Sequence, residues 1–170
     1  MSIQKYRRKE VVTLLKYVDY YITFQEVPNE VSLVLTVSGC PLRCPGCHSP
    51  WLWNNDGKPL LDDLHGLIER YYPEITCVCI MGTGSSQIVG GDDFQKIARI
   101  VREYKELKLC VYTGFDDFPD QYVIFPDYLK LGGYIADRGG LASPTTNQRM
   151  LKLVHGEYVD ITPVFWKKKV

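Results

Sequence analysis

Apolar and polar residues along the chain repeat with two different periods, and the switch between them marks out the elements. Val18, Tyr20, Ile22 and Phe24 alternate with Asp19, Tyr21, Thr23 and Gln25, the period-two signal of a half-buried strand at the flank of a sheet. The apolar run from Val31 to Val37 reads as the first internal strand. After Pro59, residues Leu60, Leu61, Leu64, Leu67, Ile68 and Tyr71 recur at helical spacing, and Pro73 ends that helix. Thr76 to Met81 is a second internal strand. Asp92 to Leu107 follows as a helix with Phe94, Ile97, Ala98, Val101 and Tyr104 on one face, and Lys108 to Thr113 as a third strand. Tyr128 to Leu131 reads as a fourth strand. Met150 to Val154 and Tyr158 to Phe165 form an antiparallel hairpin turned through His155-Gly156-Glu157.

A βαβαβ alternation predicts a parallel sheet. Closing eight such strands into a barrel usually takes at least ~200 residues, and this chain has 170. The expected fold is therefore α/β: an open, incomplete (βα) barrel with a mostly parallel sheet and a C-terminal antiparallel hairpin. One domain spans residues 1–170, with 1–16 as an N-terminal extension and 150–166 as the hairpin.

Composition narrows the class without naming a function. The chain carries 20 Lys+Arg and 20 Asp+Glu, a formal net charge of zero, with 45% hydrophobic and 24% charged residues. That balance suits a globular core, and it lacks the basic footprint of a nucleic-acid binder. No run approaches the ~18 apolar residues of a membrane span. The basic start, Met1 to Glu10, has no apolar signal core, so the expected location is the cytoplasm.

Six cysteines change the picture. Cys77, Cys79 and Cys110 sit in apolar runs, where a free thiol behaves as a small hydrophobe. The other three fall together in Cys40-Pro41-Leu42-Arg43-Cys44-Pro45-Gly46-Cys47, a Pro- and Gly-rich loop at the end of the first internal strand. Such a loop has no helix or sheet in which to bury thiols, so three of them together point to a shared metal or cluster. Structural zinc takes four closed ligands, commonly in two separated pairs; here one triplet stands alone, with the adjacent His48 as the only nearby fourth ligand. A four-iron cluster held by three thiolates instead leaves one iron open to a second molecule.

CxxxCxxC after a hydrophobic strand resembles the signature of the radical S-adenosylmethionine (radical SAM) enzymes. Gly46-Cys47-His48, the small size, Phe24-Gln25-Glu26-Val27-Pro28 and Ser143-Pro144-Thr145-Thr146-Asn147-Gln148-Arg149 are similar to the anaerobic ribonucleoside-triphosphate reductase activating proteins, over about Lys16 to Trp166. The resemblance implies that Cys40, Cys44 and Cys47 hold a [4Fe-4S] cluster whose open iron binds S-adenosyl-L-methionine. It also implies an enzyme that cleaves this cofactor reductively and generates a glycyl radical on an anaerobic ribonucleoside-triphosphate reductase, with electrons from a flavodoxin-like donor. Other small members of the superfamily, such as the 7-carboxy-7-deazaguanine synthases, act on small molecules, and a zinc-binding interaction module is the non-catalytic alternative.

In the family a Gly-Gly-acidic segment beside the cofactor's amino group follows the second internal strand. This chain departs from it, with Gly82-Thr83-Gly84 there and Gly90-Gly91-Asp92 downstream. Gly82, at the strand end, is the preferred position, because a missing Cβ lets backbone approach a ligand; a plain Gly/Ser turn is the alternative. Gly46, Cys47 and His48 are expected against the adenine. Thr113-Gly114 and Lys130-Leu131-Gly132 end neighbouring strands and line the same rim. Trp51 and Trp53 either shield the cluster or pack on the sheet, and Ser143 to Arg149 is either a partner-docking segment or a solvated loop.

Overall fold

The computed structural model describes residues 14–83, 92–117 and 124–166. Their strands are β1 (Lys16–Thr23), β2 (Ser32–Val37), β3 (Lys58–Pro59), β4 (Cys77–Thr83), β5 (Lys108–Thr113), β6 (Tyr128–Leu131), β7 (Arg149–Val154) and β8 (Glu157–Asp160). All eight join one sheet in the order β3-β1-β2-β4-β5-β6-β7-β8, which does not close into a barrel. The central strands β2, β4, β5 and β6 run parallel; β1, β3, β7 and β8 pair antiparallel at the two flanks. Among the described residues two α-helices, α1 (Leu60–Tyr71) and α2 (Asp92–Arg102), lie in the first two crossovers. None of the described helices is long and apolar enough to cross a membrane.

Side chains alternate across the parallel strands, and the two faces hold different cores. Leu33, Leu35, Val78, Ile80, Leu109, Val111 and Leu129 pack against Leu60, Leu64, Ile68, Ile97 and Val101 of the helices. On the opposite face Val34, Cys77, Cys79, Cys110, Tyr128 and Met150 form a second, smaller cluster, with Met81 and Tyr112 packed against it toward the carboxyl ends of the strands. The amino end of that face is closed by Glu30, which accepts hydrogen bonds from Thr76 Oγ1 (2.7 Å), Tyr128 OH (2.8 Å) and the Lys108 ammonium.

Three expectations need correction. Val18, Tyr20, Ile22 and Phe24 do not form a buried stripe: Val18 and Ile22 are exposed, and Phe24, beyond the strand end, is 74% exposed. A bulge between Tyr17 and Asp19 resets the register, so Tyr17 enters the core instead. Tyr20 reaches the rim of α1, its ring 6.4 Å from that of Tyr71. The second helix ends at Arg102, five residues before Leu107. Turn bonds take over at Glu103 and Tyr104, and Glu106 adopts a left-handed φ of 61° that lets the chain swing into β5. The last strand stops at Asp160, not Phe165: Asp160 Oδ1 accepts from the Thr162 amide (2.9 Å) and hydroxyl (2.6 Å), and Thr162–Phe165 winds into a 3-10 turn with Pro163 at its start.

Candidate functional site

A cavity of about 410 Å³ opens at the carboxyl ends of β2, β4, β5 and β6, where parallel α/β sheets place their ligands. Its first wall is the loop after β2. Backbone bonds from Gly39 to Asn54 (2.9 Å) and from Cys40 to Leu52 (3.0 Å) pin the two ends of this loop together. Pro50–Trp53 forms a short 3-10 turn that buries Leu52 underneath. Between them the chain turns sharply, with left-handed φ at Arg43 (45°) and Gly46 (74°), and the Cys47 amide donates to Cys44 O (3.0 Å).

Cys40, Cys44 and Cys47 are free, half-buried, and all line the cavity. The Ser49 amide donates to Cys47 Sγ at 3.4 Å. Among the described residues no three His, Cys, Asp or Glu side chains are placed to hold a single metal ion. His48 lines the same cavity, and its ring lies against Tyr134, centroids 4.6 Å apart at 50°.

The facing wall comes from the segment after β6. Gly133 has an ordinary backbone conformation, yet a Cβ there would stand 3.2 Å from Cys44 Sγ and 3.4 Å from Gly114 O. The missing side chain thus makes room for a thiol. Lys130 points into the same space, donating to Gly132 O (2.7 Å) with its ammonium 5.9 Å from the Tyr112 ring centroid. Burial pushes its pKa down to about 8, opposed by the nearby Cys44. The ion pairs of the described residues do not include Lys130.

The remaining sequence candidates separate. Gly82 and Thr113 line the cavity. Gly82 has a packing reason to be glycine: its φ is +91°, and a Cβ would fall 2.4 Å from Val37 O and 2.8 Å from Leu52 Cδ1. Thr113 is buried, its hydroxyl accepting from the Phe115 amide at 3.3 Å. Thr83 ends β4; Gly84, Gly90 and Gly91 lie outside the described residues, and Asp92 opens α2. Trp51 lines the mouth, 60% exposed. Trp53 is half-buried, with the Arg43 guanidinium 5.9 Å from its ring centroid, and its buried Nε1 has no partner among the described residues.

Ser143 to Arg149 is not a plain solvated loop. Thr145 Oγ1 donates to Arg138 O (3.0 Å), Thr146 Oγ1 to Gly139 O (3.2 Å), Asn147 Nδ2 to Gly133 O (3.0 Å) and Gln148 Nε2 to Gly132 O (3.3 Å). Asp19, Tyr21, Tyr112, Gly133, Tyr134 and Gln148 also line the cavity; sequence reasoning missed the first five and singled out Gln148 only within the Ser143 to Arg149 segment. Tyr112 was within reach of it, since it alternates with Val111 and Thr113 and so occupies the face that the helices leave free. No family model, no curated protein and no solved structure matches the chain.

Proposed function

We propose that the chain is a radical SAM enzyme of the glycyl-radical activase kind, and that its sheet is an open, incomplete (βα) barrel. One observation carries the reading: the three thiols of CxxxCxxC line one wall of a cavity at the carboxyl ends of the parallel strands. Fit is supported by the donor set and by the bare Cα of Gly133 beside Cys44 Sγ. A cluster takes each thiolate on a different iron. Cys40, Cys44 and Cys47 would hold the [4Fe-4S] cluster. Gly46, His48, Gly82, Thr83, Gly84 and Thr113 would bind S-adenosyl-L-methionine beside it. When bound, this group supplies low-potential electron transfer and hydrogen-atom abstraction.

The protein's own part is positioning and shelter. Buried Leu52 and half-buried Trp53 keep water from beneath the cysteine loop. The tilted His48 and Tyr134 rings offer aromatic surface to a planar ligand group. Lys130 gives the cavity a cation with no carboxylate partner among the described residues, suited to a ligand that carries one. At about 410 Å³ the cavity is near the low end of the roughly 300–1,000 Å³ typical of ligand sites. Trp51 and Tyr21 stand exposed at the mouth, which suits a protein substrate, here an anaerobic ribonucleoside-triphosphate reductase, with a flavodoxin-like donor in the cytoplasm.

Anaerobic reconstitution with iron and sulfide tests the reading. About four irons and four sulfides per chain are expected. Retention of one zinc in their place would overturn the reading in favour of an interaction module.

A further inference from the structure

Asn147 and Gln148 follow the loop of residues 132–141 and lie far from the cysteines in sequence, yet their side chains end two residues or fewer from the Cys44 contact. Asn147 Nδ2 donates to Gly133 O at 3.0 Å and Gln148 Nε2 to Gly132 O at 3.3 Å. The backbone they hold is tightly placed. Gly132 has φ +94°, and a Cβ on it would meet Asn147 O and Gln148 Cα at 3.3 Å. Gly133 follows directly, its missing Cβ 3.2 Å from Cys44 Sγ. Next comes Tyr134, whose ring lies on His48 and 3.5 Å from where a Gly46 Cβ would be. Gln148 is buried. Asn147 Oδ1 is buried without a partner among the described residues, so the Gly133 carbonyl is the contact that orients this amide.

We infer that Asn147 and Gln148 are positioning residues for Cys44: by fixing the carbonyls of Gly133 and Gly132 they set how closely the β6 loop presses on the thiol. The Asn147 amide holds Gly133 O, and Gln148 holds Gly132 O beside the Lys130 ammonium, so sliding the segment would break contacts made on two successive carbonyls. Thr145 provides an internal contrast, since it holds Arg138 O in the same loop and not the residues beside Cys44. For the consequence at the cluster, the inference rests on the function proposed above; for the thiol itself it does not.

The test uses the full-length chain, reduced and freed of metal, with iodoacetamide as the probe and mass spectrometry to follow each cysteine. Asn147→Asp and Gln148→Glu keep the side-chain shape but remove the donated hydrogen bond. Each is expected to change the alkylation rate of Cys44 by about fivefold, the population shift that loss of one ordinary hydrogen bond allows. Cys40 should stay at the parent rate, and Thr145→Ala should leave all three rates unchanged. An unaltered Cys44 rate in either folded variant overturns the inference. So does a common acceleration of Cys40, Cys44 and Cys47, which would mean general loosening. Gly133→Ala keeps both donors and pushes on Cys44 directly; it covers the case in which an amide variant fails to fold, and an unaltered Cys44 rate there is equally fatal. After reconstitution, the amide variants should retain iron but show a smaller spectral response to S-adenosyl-L-methionine than the parent. A parent that assembles no cluster would sink the proposed function while the alkylation result still decides the role of Asn147 and Gln148.

Discussion

Three cysteines at the mouth of the cavity and three within the sheet share one side chain and lead opposite chemical lives. Cys77, Cys79 and Cys110 are fully buried on strands β4 and β5, on the face opposite the helices. Burial, chiefly, pushes the thiols of Cys77 and Cys110 well above their ordinary pKa, which keeps them protonated and inert. Cys40, Cys44 and Cys47 lie half-buried in a sharply turned loop, where the Ser49 amide donates to Cys47 Sγ. Strand pairing holds the first set inside the sheet, whereas the loop closes on its own backbone bonds and leaves its thiols at the cavity wall. The contrast teaches that a thiol's role here follows from the element that carries it.

The largest expected effect separates the two sets outright. Cys40→Ala, Cys44→Ala and Cys47→Ala should each abolish iron and sulfide incorporation, while Cys77→Ala and Cys110→Ala should incorporate both at the parent level; a full complement in Cys44→Ala would break the comparison. Stability should run the other way. Cys110→Ser buries a hydroxyl in an apolar face and is expected to cost about 1–3 kcal/mol, against a change within about 0.5 kcal/mol for Cys40→Ser on the loop, as read by urea unfolding.

Glu30 sharpens the picture of the sheet end. Burial raises its carboxyl, but hydrogen bonds from Lys108, Thr76 and Tyr128 and the Lys108 charge outweigh it, leaving the pKa below the ordinary value. Its stabilisation is therefore complete above the ordinary Glu pKa of about 4.3 and disappears as pH falls through the lower folded value. Glu30→Gln should lower stability by about 1 kcal/mol at pH 7 and flatten that acid-side loss in thermal melts; an unchanged acid limb would show that the network carries no linkage. The smallest effect lies at Lys130, whose folded pKa of about 8 is below its ordinary 10.5. Between those values the unfolded chain binds more protons, so stability rises with pH, and below about 8 the full desolvation penalty remains. Lys130→Met should raise the thermal midpoint by a few degrees at pH 7, a gain that shrinks by pH 10. A lower midpoint at pH 7 would mean that the bond to Gly132 O and the contact with the Tyr112 ring outweigh the burial of the ammonium.

Much of the scaffold was legible in the sequence because it is local. β2, α1, β4 and β5 follow from apolar periodicity, and the helix α1 stops where Pro73 requires. β1 was read on the wrong stripe, since a bulge is decided by pairing with β2 and leaves no mark in the composition of Tyr17-Val18-Asp19. Glu106 turns the chain without the Gly or Asn that usually signals such a turn. The two-residue strand β3 is too short for any period to show. At the site, CxxxCxxC is a local motif and readable as such. Gly133 and Tyr134 matter through contacts with a loop some 85 to 90 residues earlier in the chain, and Asn147 and Gln148 through their bonds to Gly133 O and Gly132 O; no sequence period encodes contacts of that kind.

The central claim is that the loop thiols hold a cluster with an open iron. Low-temperature electron paramagnetic resonance of the reconstituted, dithionite-reduced chain, with and without S-adenosyl-L-methionine, tests it most directly. The account predicts a reduced-cluster signal whose shape changes when the cofactor is added; no signal, or one the cofactor leaves untouched, would contradict it.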